Sequence, residues 1–136
     1  MAWTIEYEGE AFEHFYLSLP AYERAVLTAA LEHILGRQGI DVCAGEWGRP
    51  LGAGLYEFRV RRSLRAITAL AGLEPEDPAG TDRPVLLRVF CTFYGDKIVL
   101  LFHGYNKQKD PSQKRQQREI AKARKALQRW QRDRRT

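Results

Sequence analysis

Residues 85–105 read VLLRVFCTFYGDKIVLLFHGY, and this stretch decides the fold that the sequence predicts. It contains two runs rich in β-branched and aromatic residues, 85–94 and 97–105, and such runs favour strands. Gly95-Asp96 separates the two runs and is typical of a two-residue turn between antiparallel strands. The sequence therefore predicts a β-hairpin here.

A further strand is predicted upstream, over residues 55–61, where apolar and charged side chains alternate strictly. Because successive side chains of a strand point to opposite faces, this stretch has one apolar and one charged face. The apolar face holds Tyr56, Phe58 and Val60, and the charged face holds Glu57, Arg59 and Arg61. Residues 64–70 either continue this strand or form a neighbouring one in an antiparallel sheet.

The N-terminal half of the chain predicts one strand and a helical hairpin. Residues 2–7 alternate, which indicates a short strand, and the apolar spacing that follows is that of an amphipathic helix. Pro20 suits the first turn of a second helix, which ends at Gly36 or Gly39. Residues 41–54 are rich in glycine and are interpreted as a loop.

The C-terminal part of the chain predicts a basic amphipathic helix. Asp110-Pro111 is typical of a helix start, with Asp110 as the N-cap. The apolar stripe of this helix consists of Ile120, Ala123, Leu127 and Trp130. The element order β-α-α-β-β-β-α predicts a single α+β domain over residues 1–136, in which an antiparallel sheet packs on helices. This domain has a surface loop insertion at 72–84 and a frayed tail at 131–136.

Charge is distributed unevenly along this chain. The 136 residues include 22 Lys and Arg against 17 Asp and Glu, a net charge of +5. Residues 1–58 hold three basic and nine acidic side chains, whereas residues 105–136 hold twelve basic and three acidic ones. Because basic surfaces attract polyanions, we expect the C-terminal helix to contact phosphate groups.

Several function classes lose their support in the sequence. No apolar run approaches the roughly 20 residues of a membrane-spanning helix, and the N-terminus lacks the basic start and apolar stretch of a secretory signal. Cys43 and Cys91 are far apart with no Cys/His cluster, which predicts reduced thiols in a cytoplasmic protein and no metal site. Phosphate-loop, dinucleotide, zinc-protease and serine-hydrolase motifs are absent, so we expect no cofactor.

The remaining candidates for chemistry are cations of the predicted sheet, together with one histidine and one tyrosine. In chain order they are Arg59, Arg61, Arg88, His103, Tyr105, Lys107 and Lys109. Adjacent strands can bring them to one positively charged surface. Such a set suits RNA cleavage without a metal, in which the 2′-hydroxyl attacks the adjacent phosphate. Cations stabilise the pentacovalent dianion, and His or Tyr moves the protons.

Each of these residues also has a structural interpretation. His103 suits a packed histidine at the end of an apolar strand, and Arg59 and Arg61 suit a solvent-facing strand surface. Tyr105 suits an aromatic residue at the edge of the core whose hydroxyl is hydrogen-bonded. The residue pattern alone therefore predicts a basic α+β domain that binds a polyanion.

Four blocks of the sequence resemble the RelE/HigB superfamily of toxins, and most of all its phage-derived HigB-like branch. They are GLYEFR at 54–59, LRVF at 87–90, KIVLLFHGYNKQK at 97–109 and EIAKA at 119–123. In that family a GLWELR strand, an arginine-valine strand and a strand ending in LL-HGF-x-K-K precede a helix with E-I-x-x-A. The resemblance covers about residues 1–130 in element order.

This resemblance implies a RelE-like fold and a small endoribonuclease that cuts messenger RNA, usually in the ribosomal A site. It also implies neutralisation by a cognate antitoxin, often one with a helix-turn-helix domain. The arginines of the family blocks fall on Arg59 and Arg88, the histidine on His103, the aromatic residue on Tyr105 and the first lysine on Lys107. Lys109 is displaced by one position from the usual second lysine, and the stretch from 62 to 86 is longer than the family's usual connection.

We therefore expect the toxin of a toxin–antitoxin module that cleaves mRNA on the ribosome by metal-independent transesterification. In this hypothesis Arg59 and Arg88 hold the scissile phosphate, and His103 or Tyr105 moves a proton. The expected RNA-binding residues are Arg61, Lys107, Lys109, Lys114, Arg118, Lys122 and Lys125. Two alternatives share the fold: a non-catalytic protein that binds RNA or the ribosome, and a phage-encoded protein that binds a host protein.

Overall fold

A computed structural model describes residues 2–73 and 81–134 and shows an α+β architecture. The strands are β1 (Thr4–Tyr7), β2 (Gly48–Gly52), β3 (Leu55–Val60), β4 (Leu87–Tyr94) and β5 (Ile98–Asn106). The main helices are α1 (Ala11–Ser18), α2 (Ala21–Ala30), α3 (Leu64–Leu70) and α4 (Gln113–Arg134). Helix α2 continues through a π-helical turn (Leu31–Leu35), an α-helical turn (Gly36–Gln38) and a 3-10 turn (Gly39–Ala44).

The strands form one five-stranded mixed sheet in the order β1-β5-β4-β3-β2. All neighbours are antiparallel except β1, which runs parallel to β5. The prediction of a wholly antiparallel sheet is therefore wrong at this edge. A tight hairpin forces antiparallel pairing, whereas β1 is connected to the rest of the sheet through helices and is free to pair in either direction.

Each face of the sheet is covered by helices and has its own apolar core. On one face, α1 and α2 pack against alternate residues of β3, β4 and β5, with Leu27, Val89 and Leu101 fully buried. On the other face, α4 packs against Leu55 and Phe90. The predicted stripe of α4 is confirmed: Ala123 and Leu127 are buried there, and Ile120 and Trp130 are half-buried against the same core.

A β-bulge in β5 determines which residues face α4. The register pairs Phe90 with His103 but Cys91 with Leu101, so that Phe102 is the extra residue. Strict alternation would put His103 and Tyr105 on the α1/α2 side together with Leu101. The bulge instead turns both side chains toward α4, because an extra residue shifts the alternation by one.

Two predictions of secondary structure in the middle of the chain are wrong. Residues 64–70 form helix α3 and not a strand, because the Ser63 hydroxyl accepts a hydrogen bond from the Ala66 N–H at 3.1 Å and caps a helix. Residues 41–54 are not all loop, since they contain strand β2. Its pairing with β3 tolerates Pro50 and two glycines because β2 is an edge strand.

Two element boundaries also differ from the prediction. The hairpin between β4 and β5 is confirmed, but its turn has three residues, because Tyr94 pairs with Ile98 and Lys97 adopts a positive φ of 57°. Helix α4 begins after Ser112, whose hydroxyl accepts a hydrogen bond from the N–H of Arg115 at 3.1 Å. Ser112 therefore takes the N-cap role predicted for Asp110.

Two predicted irregular segments are only partly described. In the segment 72–84, residues 74–80 lie outside the described part of the chain. Thr81 is buried, and the Tyr22 hydroxyl donates hydrogen bonds to the carbonyls of Thr81 and Arg83 at 3.3 and 2.5 Å. The predicted frayed tail is helical up to Arg134, because α4 continues to that residue. Residues 135 and 136 lie outside the described residues.

The thickness of a lipid bilayer sets a minimum length for a membrane-spanning helix. Within residues 2–73 and 81–134, no helix is long and apolar enough to cross a membrane. The longest, α4, is rich in Lys and Arg on its exposed side.

Candidate active site

Three of the predicted catalytic residues lie in one row across the sheet. In the strand register, Arg59 of β3 pairs with Arg88 of β4, and Arg88 pairs with Tyr105 of β5. Directly paired residues on neighbouring strands point to the same face. This cross-strand row therefore presents two guanidinium groups and a phenol side by side, on the side of the sheet that α4 covers.

A buried carboxylate lies next to this row. Glu57 is 1% exposed, and its Oε1 atom is 3.0 Å from Nε of Arg49 and 3.7 Å from Nε of Arg88. Its Oε2 atom accepts a hydrogen bond from Nε2 of Gln116 at 3.4 Å. Glu57 therefore connects the edge strand β2, the central strand β4 and the first turn of α4.

The positive charge around Glu57 exceeds what one carboxylate neutralises. Burial lowers the pKa values of Arg59, Arg88 and Lys107, and repulsion from neighbouring guanidinium groups lowers each of them further. Glu57 raises all three pKa values and Glu46 also raises that of Arg59, but Glu57 is shared with Arg49, which pairs with it too. We call Arg49, Arg59, Arg88 and Lys107 the cation cluster. Its four positive charges surround the negative charge of Glu57.

The cross-strand row also contains buried polar atoms without a hydrogen-bond partner. They are Nε of Arg59, Nε of Arg88 and Oη of Tyr105, and none has a partner among residues 2–73 and 81–134. A buried donor without an acceptor is costly, and such groups are rare in native proteins. Three such groups lie in one row, next to an excess of positive charge. An anion bound at this row would supply the acceptors that they lack.

The row is open at one end and covered at the other. Arg88 and Tyr105 are 5% and 2% exposed, and the guanidinium carbon of Arg115 lies 5.3 Å from the centre of the Tyr105 ring. Arg59 and Lys107 are half-buried and reach the surface. An anion would therefore approach past Arg59 and Lys107, and the first turn of α4 forms the cover over Tyr105.

His103 lies beside the row and has its own partners. Its Nε2 atom is 3.0 Å from Oε2 of Glu119, its ring centre lies 5.1 Å from that of Phe90, and it is 4% exposed. Burial lowers the pKa of His103 despite the opposing effect of Glu119, so the neutral ring donates its N–H to the carboxylate. Glu119 also accepts a hydrogen bond from Nε of Arg115 at 3.2 Å. These contacts match the packed-histidine alternative, in which the side chain joins β5 to α4.

The predicted RNA-binding residues are divided between two places. Arg61 lies just beyond β3, with its guanidinium 3.8 Å from a carboxylate oxygen of Glu46, and Lys107 belongs to the cation cluster. Lys109 is exposed between β5 and α4. The remaining four are exposed along one side of α4 at spacings of three and four residues, and we call them the helical cation stripe: Lys114, Arg118, Lys122 and Lys125.

Three site residues were missed in the sequence. Glu57 was placed on the correct face by the alternation of β3, but no role was assigned to it. Arg49 was hidden because β2 was interpreted as loop, and Gln116 carries no signal of its own. The signal that identifies Glu57 is a lone acid beside two arginines on the charged face of a strand.

Metal-ligating residues do not cluster in the described parts of the chain. No group of three or more His, Cys, Asp or Glu side chains there is placed to hold a metal ion. In the comparisons with known proteins, no family model and no curated protein matches the chain.

Proposed function

We propose that the chain is an endoribonuclease of the RelE/HigB type that cleaves mRNA at the ribosome by metal-independent attack of the 2′-hydroxyl. The observation that carries this proposal is the cross-strand row, in which Arg59, Arg88 and Tyr105 have unpartnered buried donors beside an excess of positive charge. A phosphodiester supplies the charge and the acceptor oxygens that this row needs, and preorganised donors of this kind stabilise a developing dianion.

In this mechanism Arg59 and Arg88 bind the non-bridging oxygens of the scissile phosphate. The 2′-hydroxyl gives its proton to the carboxylate of Glu57, and its oxygen forms the new bond to phosphorus. The bond from phosphorus to the 5′ oxygen breaks, and that oxygen takes a proton from the phenol of Tyr105. Burial raises the pKa of Tyr105, so the phenol keeps its proton until the leaving oxygen needs it. The products are a 2′,3′-cyclic phosphate and a 5′-hydroxyl.

The helical cation stripe supplies a surface for the RNA backbone or ribosomal RNA. Its four side chains are exposed, while the opposite side of α4 is buried against the sheet. Basic side chains in such an array bind phosphates and release counterions. The four sequence blocks that resemble RelE/HigB toxins also support this proposal, and a cognate helix-turn-helix antitoxin is part of it.

One observation favours a second function, binding of RNA without cleavage. Arg88 and Tyr105 are nearly inaccessible, and Glu57 already lies against Arg88. Cleavage therefore requires the first turn of α4 to move away from Tyr105, whereas binding requires only Arg59, Lys107 and the helical cation stripe. Cleavage depends on Arg88 and Tyr105, the buried residues of the row, whereas binding without cleavage does not.

Expression of the chain in a bacterial host, followed by primer extension on cellular mRNA, tests the proposal. We expect growth arrest and discrete new 5′ ends within coding regions. Arg88→Ala is expected to abolish both, because loss of one preorganised donor costs roughly 10²-fold or more in rate. Arg65→Ala is the matched control, since Arg65 is 51% exposed on α3 and pairs with Asp82. Growth arrest that persists in folded Arg88→Ala, or arrest without new 5′ ends, would contradict cleavage.

A further inference from the structure

A second concave site lies beside the end of β5, next to Tyr105 of the cross-strand row. It is a cleft of about 410 Å³ between α1, the end of β5 and the first turns of α4. Ligand pockets of this size are large enough for a small molecule or one unit of a polymer. Tyr105 lines the cleft and also belongs to the row, so the two sites share a wall.

The lining of the cleft is basic and partly aromatic. Lys109, Arg115 and Lys122 contribute positive charge, and the acid in the lining, Glu119, is already paired with His103 and Arg115. Phe15 of α1 forms an apolar wall and is half-buried. A cleft with an aromatic wall and unneutralised cations suits a ligand with a flat ring and a phosphate group, because bases stack on aromatic side chains.

Gly104 explains why Phe15 can form this wall. A Cβ atom at Gly104 would lie 2.6 Å from the Phe15 ring and 2.5 Å from the carbonyl oxygen of Arg88. Only glycine therefore lets the ring of Phe15 approach β5 between His103 and Tyr105. Gly104 of β5, the strand that also carries Tyr105, therefore determines where this aromatic wall lies.

We infer that this cleft is a nucleotide subsite, which binds the nucleoside next to the scissile phosphate. The base lies against Phe15, and the next phosphate along the chain binds Lys109 and Lys122. This inference rests on the proposed function, because it takes the phosphate of the cross-strand row as its neighbour. The side chain of Tyr105 then contacts both the scissile phosphate and the nucleotide beside it.

Binding of nucleoside 3′,5′-bisphosphates and of inorganic phosphate to the isotopically labelled chain, followed by NMR, tests this inference. Inorganic phosphate is expected to shift signals of the row, and a bisphosphate is expected to shift those of Phe15 and Lys109 as well and to bind more tightly. Lys109→Ala/Lys122→Ala should weaken the bisphosphate on the order of tenfold and leave inorganic phosphate unchanged. Arg129→Ala/Arg132→Ala is the matched control with the same loss of charge, because both side chains are exposed near the end of α4 and lie outside the cleft.

A second variant tests the aromatic wall without removing charge. Phe15→Leu keeps an apolar side chain beside Gly104 but lacks the ring, so it should weaken the bisphosphate and not inorganic phosphate. If both ligands bind the row and the cleft variants behave like the control, the subsite is wrong and the proposed function stands. If a bisphosphate binds the cleft while inorganic phosphate leaves Arg59 and Arg88 unaffected, the subsite stands and the proposed function is wrong. Binding of neither ligand overturns both.

Discussion

Substitution of Glu57 by glutamine is expected to destabilise the fold because it removes the negative charge at the centre of the cation cluster. Gln has nearly the same shape as Glu, so the change leaves no cavity and isolates the electrostatic effect. The side chains of Glu57 and Arg88 are 1% and 6% exposed, and water cannot replace the lost charge at Arg88. Arg49 is 43% exposed and can turn toward solvent.

The expected magnitude follows from this difference in exposure. Removal of one partner from a buried ion pair costs about 3–5 kcal/mol, because the other charge is left uncompensated. The contact of Arg88 with Glu57 is long at 3.7 Å, and Arg49 is solvated, so we expect the lower end, about 3 kcal/mol. For a chain of this size such a loss lowers Tm on the order of 10 °C.

Urea unfolding of the parent chain and of Glu57→Gln measures this effect directly. Glu46→Gln is the matched control, because Glu46 pairs with Arg62 at side-chain exposures of 32% and 52%. A surface pair of this kind contributes less than about 1 kcal/mol. Inorganic phosphate is expected to restore part of the stability of Glu57→Gln, because a ligand that binds only the folded state raises its stability. Equal losses in the two variants would refute the cation cluster as described.

Three further predictions concern α4 and its contacts. Trp130→Ala should lower the free energy of unfolding by about 1–3 kcal/mol in urea titrations, since the half-buried ring packs edge-on against Tyr94 at 4.9 Å. The free energy of unfolding should fall as the pH falls below 6.5. The unfolded chain takes up a proton on His103 near that pH, whereas the folded chain does so only at lower pH because burial lowers the pKa of His103. His103→Gln should flatten this pH dependence. Reversal of the helical cation stripe to Glu should weaken binding to ribosomes or RNA and flatten its salt dependence, and unchanged ribosome binding would assign the stripe to another partner.

The sequence was most informative where the structure depends on local patterns. The alternation of residues 55–61 correctly placed Glu57 and Arg59 on one face, because period-2 side-chain direction is a local property of strands. The apolar stripe of α4 was likewise predictable from helical spacing. In both cases the apolar residues of the repeating pattern pack into a hydrophobic core.

Features that depend on pairing between distant segments could not be predicted. The alignment of Arg59 with Arg88 requires the register across residues 62–86, which no local pattern specifies. The bulge at Phe102 turns Tyr105 toward this row, although strict alternation would place it on the opposite face. The candidate site thus contains residues that the sequence identified, in an arrangement that only the sheet pairing produces.

The covering of the row by α4 is also a tertiary feature. Arg115 and Gln116 lie outside the apolar stripe of α4, yet they contact Tyr105 and Glu57. Helical spacing shows which side of a helix is apolar, but it does not show which of its polar residues reach the sheet. The sequence pattern therefore did not show that α4 covers Tyr105.

The central claim is that the cross-strand row binds and cleaves an RNA phosphodiester without a metal, and the chemistry of the product ends tests it most directly. The purified chain would be incubated with translating ribosomes, and the RNA fragments analysed by mass spectrometry, for the parent chain and for Arg88→Ala. We predict 2′,3′-cyclic phosphate or 3′-phosphate ends with the parent chain and none with Arg88→Ala, at unchanged secondary structure by circular dichroism. Fragments with 3′-hydroxyl ends, or the same fragments from a folded Arg88→Ala, would contradict it.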